Sequence, residues 1–239
     1  MDEQKSPVIE VTDLVQRLGR EEILKSLSFQ VWPGECFGVF GLRGSSKTSL
    51  LHILAGVDRY TSGNVKVLGC DIKKDQGFKK HTGLVTQVKS LFQDLKAGEN
   101  LDFIANLKNA GQANVREVVS RLELEESLRK GVNQIEPGLY QRLALACALL
   151  GSPELLIVDE LIKDIDLYSR RVILREAQAF RDKGGTVVCA FSNMEFCEHM
   201  SRVAWLDNGR MSIYEPGAAR ERWDSMVHSL AGGQGGTDA

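Results

Sequence analysis

At 239 residues, with 43% hydrophobic and 26% charged residues, the chain has the make-up of one large globular domain or a core domain carrying a subdomain. A formal charge of −2 argues against a general nucleic-acid binder, and no apolar run approaches the ~20 residues that span a bilayer, so any membrane role is expected to act through a partner. The opening Met1-Asp2-Glu3-Gln4-Lys5 begins no signal-peptide pattern, and the five cysteines (Cys36, Cys70, Cys147, Cys189, Cys197) hold no CxxC pair, which reads as a buried, reduced, cytosolic set.

Taken in chain order, Val8-Ile9-Glu10-Val11 alternates like a strand, and so does Leu24 to Val31, closed by a Pro33-Gly34 turn. Cys36 to Phe40 follows as a buried strand. Two antiparallel-type strands before it predict a β-rich edge on an α/β core. The nonapeptide Gly41-Leu42-Arg43-Gly44-Ser45-Ser46-Lys47-Thr48-Ser49 then separates that strand from a helical stretch, Ser49 to Ala55. A strand, a glycine-rich turn and a helix with Lys and a hydroxyl at its start form a phosphate cradle. Backbone N–H groups and the positive helix end would surround the anion, Lys47 would reach its oxygens, and Thr48 would ligate Mg²⁺. The pattern G-x-x-x-x-G-K-[ST] asks for Gly at position 46. Ser46 stands there and adds a Cβ where the backbone must approach phosphate closely or take unusual torsions.

Asn64 to Gly69 and Gly83 to Gln87 read as further strands. From about Leu91 to Gly151 the pattern turns helical, over Glu99–Asn109, Asn114–Leu122 and Gln141–Leu150. This predicts an inserted α-helical subdomain. Leu155 to Val158 is a buried-strand run ending in Asp159-Glu160. On an open α/β sheet the ligand lies at the carboxyl ends of the strands, where Asp159 can hold Mg²⁺ and Glu160 can polarise a water. Gln87, also past a strand, can sense the same ion or water. Ser169 to Lys183 is helical and stopped by Gly184-Gly185, Thr186 to Ala190 is a buried strand, and Asn208-Gly209 joins a hairpin. Residues 1–231 are expected to form the domain and 232–239 a disordered tail. The four histidines show no metal spacing, so the expected ion is the Mg²⁺ that accompanies a nucleotide.

These landmarks, in this order, resemble the nucleotide-binding domain of ABC transporters over roughly residues 8–215. Gly41 to Ser49 resembles Walker A, Val85-Thr86-Gln87 the Q-loop, and Leu155 to Glu160 Walker B with its catalytic Glu. Asp159 to Asp166 looks like D-E-P-T-S-G-L-D, and Gln141-Arg142 matches the helix after the signature motif. The resemblance implies an α/β P-loop NTPase core with an antiparallel β subdomain and the inserted helical subdomain. It also implies ATP and Mg²⁺ as cofactors, a transmembrane transporter subunit as partner, and a second ABC-type domain closing over the nucleotide. The place it implies is cytoplasmic, at the inner face of a membrane.

Several family positions are changed. The signature falls on Ile135-Glu136-Pro137-Gly138-Leu139, where only Gly138 is retained. Glu136 sets a carboxylate where a Ser would donate to a phosphate, and Pro137 lacks a backbone N–H. Ser192 replaces the switch His, and Leu18 takes the place of the aromatic residue that stacks on adenine. The expectation is a degenerate subunit that binds Mg-ATP, hydrolyses it weakly or not at all, and works in a heteromer. A non-catalytic scaffold and a soluble ABC-type ATPase stay open as alternatives.

Overall fold

The computed structural model describes residues 6–232. An antiparallel sheet is built first, from β1 (Ile9–Leu18), β2 (Glu21–Val31), β4 (Ser62–Val67) and the short β5 (Cys70–Asp71), in the order β2-β1-β4-β5. A six-stranded sheet runs β10-β9-β3-β8-β7-β6, from β3 (Cys36–Phe40), β6 (Thr82–Val85), β7 (Leu155–Asp159), β8 (Thr186–Phe191), β9 (Arg202–Asp207) and β10 (Arg210–Tyr214). The strands from β9 to β6 pair in parallel, and only β10 is antiparallel. β3 and β7 are buried at every residue, as strands covered on both faces must be.

Helix α1 (Lys47–Leu54) is enclosed between the two sheets. Leu50, Leu51, Ile53 and Leu54 are wholly buried in one cluster with Ile9, Val31 and Val67 of the antiparallel sheet and Ile157 and Val188 of the parallel one. The opposite face of the parallel sheet meets α4 (Pro137–Leu149) and α5 (Leu167–Asp182), and α2 (Ala97–Leu107) and α3 (Gln112–Arg121) join the same cluster.

The elements read from the sequence stand where expected, with ends moved by a few residues. The Asn208-Gly209 hairpin has both residues at positive φ, 47° and 76°, the primed turn that matches strand twist. Two elements were missed. β5 is two residues long and carries no periodic signal. Helix α6 (Pro216–Gly232) does carry one: Pro at its first position, then Ala219 and Trp223 four apart and Met226 three further on, packed beside Phe40 and Trp205. Gly232, assigned to the disordered tail, is therefore the last residue of a helix. The rest of that tail lies outside the described residues.

Candidate functional site

Parallel order puts the loop after β3, Ser192 after β8, Asp159-Glu160 at the end of β7 and Gln87 after β6 along one edge, the carboxyl ends of four strands. The loop is shaped by its small residues. A Cβ on Gly41 would lie 2.7 Å from the Leu206 carbonyl, so no side chain fits there. Gly44 has φ 85° and Ser46 has φ 69° with ψ 22°. Position 46 thus adopts the left-handed conformation for which glycine is suited, and the serine there makes no side-chain capping hydrogen bond to α1.

Lys47 opens α1 and is buried. Its Nζ donates to the Gly41 carbonyl at 2.6 Å and the Leu42 carbonyl at 3.3 Å, and lies 3.5 Å from Glu160 Oε1. Glu160 is also buried, at φ 53°, with its N–H donating to the Ala190 carbonyl at 3.1 Å. A non-glycine residue held in this region marks a conformation imposed by its surroundings, as functional sites often require. Its second oxygen, Oε2, accepts from Ser192 Oγ at 3.0 Å. Lys47, Glu160 and Ser192 therefore form one connected cluster.

Two buried groups beside it lack partners. Among the described residues, both carboxylate oxygens of Asp159 and the hydroxyl of Ser45 find no hydrogen-bond partner. A buried carboxylate costs free energy unless a cation or donor meets it. The donor set fits a phosphate with its divalent ion: the loop amides, Lys47 and Ser45 for the anion, and Asp159 with the half-buried hydroxyl of Thr48 for Mg²⁺. Ser49, the third residue of α1, is half-buried.

Other sequence candidates stand apart from the cluster. Gln87 is exposed in the bend after β6. Leu18 ends β1 on the antiparallel sheet, 73% exposed, so an apolar side chain is presented to solvent there. Glu136 is the exposed N-cap of α4 and makes no side-chain cap bond, and Pro137 is its first residue. That helix start faces its own carboxylate with one donor fewer. Gly138 has an in-chain reason: a Cβ there would collide with Asp166 and Ser169, where the starts of α4 and α5 meet. Asp166, read from the sequence as the D-loop residue, caps α5 by accepting from Ser169 N at 2.8 Å. This contact and the Ser169 hydroxyl hold its carboxyl below the usual range.

Sequence reasoning missed Tyr140. Its buried hydroxyl accepts from the Ser90 and Leu91 amides at 2.7 and 3.1 Å, tying the segment after Gln87 to α4. A tyrosine on the apolar face of a helix needs such a partner, which was the available signal. Asn100, wholly buried, likewise clamps both backbone groups of Phe92, leaving its ring 49% exposed against Phe103.

Comparison with known proteins agrees with this geometry. The family model described as ABC transporter matches residues 24–163. Nod factor export ATP-binding protein I of Rhizobium etli is 29% identical over 92% of this chain and 71% of its own length. Linearmycin resistance ATP-binding protein LnrL of Bacillus subtilis is 31% identical over 85% of this chain and 68% of its own. A solved dimeric structure of the ATP-binding cassette MJ0796, in a post-hydrolysis state bound to ADP and Pi, superposes with a TM-score of 0.80, covering 87% of this chain and 98% of that one at 22% identity. The chain belongs to the ABC transporter family, as one of its nucleotide-binding domains.

Proposed function

We propose that this chain is a degenerate ATP-binding subunit of a membrane transporter, which binds Mg-ATP, turns it over slowly or not at all, and signals its nucleotide state to a transmembrane partner. The observation that carries the reading is a division within one molecule. Lys47, Asp159 and Glu160 are assembled and buried, while the start of α4 presents Glu136 and Pro137. The export and resistance relatives support the transport setting.

Bound Mg-ATP supplies a phosphoanhydride bond and a divalent charge on its phosphates. The chain's own residues do the rest. Lys47 would exchange its contacts with Gly41, Leu42 and Glu160 for phosphate oxygens. Thr48 and Asp159 would hold the ion, and Gln87 would reach it from the exposed bend past β6. Glu160 is the group to take a proton from water, and water must compete for it with Ser192, which already occupies Oε2. Ser192 offers one short hydroxyl where a histidine would offer two ring nitrogens.

Two identical copies would place Glu136 and Pro137 over both sites, so the reading assigns this subunit a different partner domain with an intact signature. Phe92 and Phe103, exposed beside the segment after Gln87, are the surface offered to the transmembrane subunit. Among the described residues no helix is long and apolar enough to cross a membrane, and the reading places attachment at the cytoplasmic face through that subunit.

The test is calorimetry of Mg-ATP binding to the purified chain, with Lys47→Ala as control and circular dichroism to confirm the fold. Binding in the micromolar to millimolar range, lost in the variant, is expected. No binding at millimolar nucleotide by either protein overturns the reading and favours a scaffold without nucleotide. Fast turnover by the purified chain alone would refute the slow-hydrolysis part.

A further inference from the structure

On the sheet face opposite α1, beneath α5, lies a cavity of about 560 Å³. Three sulfur atoms line it. Cys36 on β3 and Cys189 on β8 lie on adjacent parallel strands, and Met200 follows the turn of 3-10 helix at Met194–His199. The Met200 sulfur lies 3.6 Å from Cys36 Sγ and 3.3 Å from Cys189 Sγ. Gly38 makes the approach possible. A Cβ there would stand 2.7 Å from Met200 Cγ and 2.9 Å from its Sδ. Cys36 is buried, whereas Cys189 and Met200 are half-buried, so the cavity gives access to the group. Arg181 lines the same cavity, and its buried Nε has no hydrogen-bond partner among the described residues.

We propose that Cys36, Cys189 and Met200 form a three-sulfur binding site for a soft monovalent ion of the Cu(I) class. Thiolate and thioether ligands select soft ions, whereas Mg²⁺ and Ca²⁺ require oxygen and structural Zn²⁺ takes four ligands. Metal–sulfur bonds of about 2.3 Å hold three ligands in a plane about 4 Å apart, so the two contacts here need to open by only about half an ångström. Binding releases one proton from each thiol to solvent, forms two thiolate–copper bonds and takes a lone pair from the thioether, with no change of oxidation state. The resulting centre carries one negative charge, and Arg181 is the cation that balances it.

The site is independent of nucleotide binding, so the two readings fail separately. The test is anaerobic titration of the reduced chain with Cu(I), supplied as its acetonitrile complex, against a chromophoric chelator. The expected result is one copper per chain with three sulfur neighbours by X-ray absorption. Cys36→Ser and Cys189→Ser should each weaken binding by about a hundredfold or more and Met200→Leu by about tenfold, exceeding or matching the usual effect of supporting residues. The Cys70→Ser, Cys147→Ser, Cys197→Ser triple variant should bind like the native chain. Unchanged binding in Cys36→Ser/Cys189→Ser, or nitrogen or oxygen neighbours in place of sulfur, overturns the proposal. If that double variant does not fold, mass spectrometry of the alkylated native chain decides. Copper should protect Cys189, the half-buried thiol of the pair, from iodoacetamide, and absence of protection overturns the site.

Discussion

Replacing Ser46 by glycine separates two effects of a side chain in the phosphate loop. Ser46 sits at φ 69° and ψ 22°, where an L-residue is disfavoured by about 1–2 kcal/mol. Glycine removes that strain and raises the entropy of the unfolded chain, which takes back about 0.5–1 kcal/mol. The net gain of about 0.5–1 kcal/mol corresponds to a rise in Tm of about 2 °C for a chain of this size. Ser46→Ala is the comparator, since it keeps the Cβ and the strained torsion and loses a hydroxyl that makes no capping bond. Its Tm should stay at the native value or fall. Strain present before and after binding cancels from the affinity, which therefore reads only what the Cβ does to the phosphate. Mg-ATP should bind the glycine variant about tenfold more tightly, or ~1.4 kcal/mol, and the alanine variant no more tightly than the native chain. Calorimetry supplies both measurements. A lower Tm for Ser46→Gly, or an affinity equal to the native one, would refute the reasoning that position 46 is a defect.

Asp159→Asn removes a buried carboxylate that lacks a partner, so thermal stability without nucleotide should hold or rise by a few degrees, while the Mg²⁺ dependence of ATP binding disappears. A large fall in Tm would show that the carboxylate is structural. Phe92→Ala should leave the fold and nucleotide affinity intact, because Asn100 holds the backbone there, and should release the chain from its transmembrane partner in co-purification. Retention of the partner would remove this surface from the proposal. Burial pushes the Cys147 thiol up to about 12, so at pH 8 only about one in ten thousand is ionised. Iodoacetamide should leave Cys147 unmodified in the folded chain and reach it on denaturation, and rapid native labelling would contradict its burial.

Much of the fold was legible because its signals are local. The buried runs Cys36–Phe40 and Leu155–Asp159, the glycine turn between β3 and α1, and the Asn208-Gly209 hairpin each follow from residues adjacent in the chain. Lys47, Asp159 and Glu160 were legible as candidate site residues too, through the glycine turn and the strand-end carboxylates taken in combination. Even the departure at Ser46 was visible as a break in a short pattern.

What the chain order could not decide is which distant groups meet. Lys47 contacts Glu160, and Glu160 contacts Ser192, only because β8 is laid between β3 and β7. Gly138 looked like the one retained residue of a lost motif, yet the packing of α4 on α5 gives it a reason of its own. The two thiols of β3 and β8 read as inert core because nothing in sequence spacing links Cys36 to Cys189 or either to Met200. Parallel pairing sets those thiols on one face, and the missing side chain of Gly38 admits the thioether between them. Local torsion preference and burial pattern are written residue by residue, whereas strand order and the fit of one side chain into another's absence exist only once the sheet has formed.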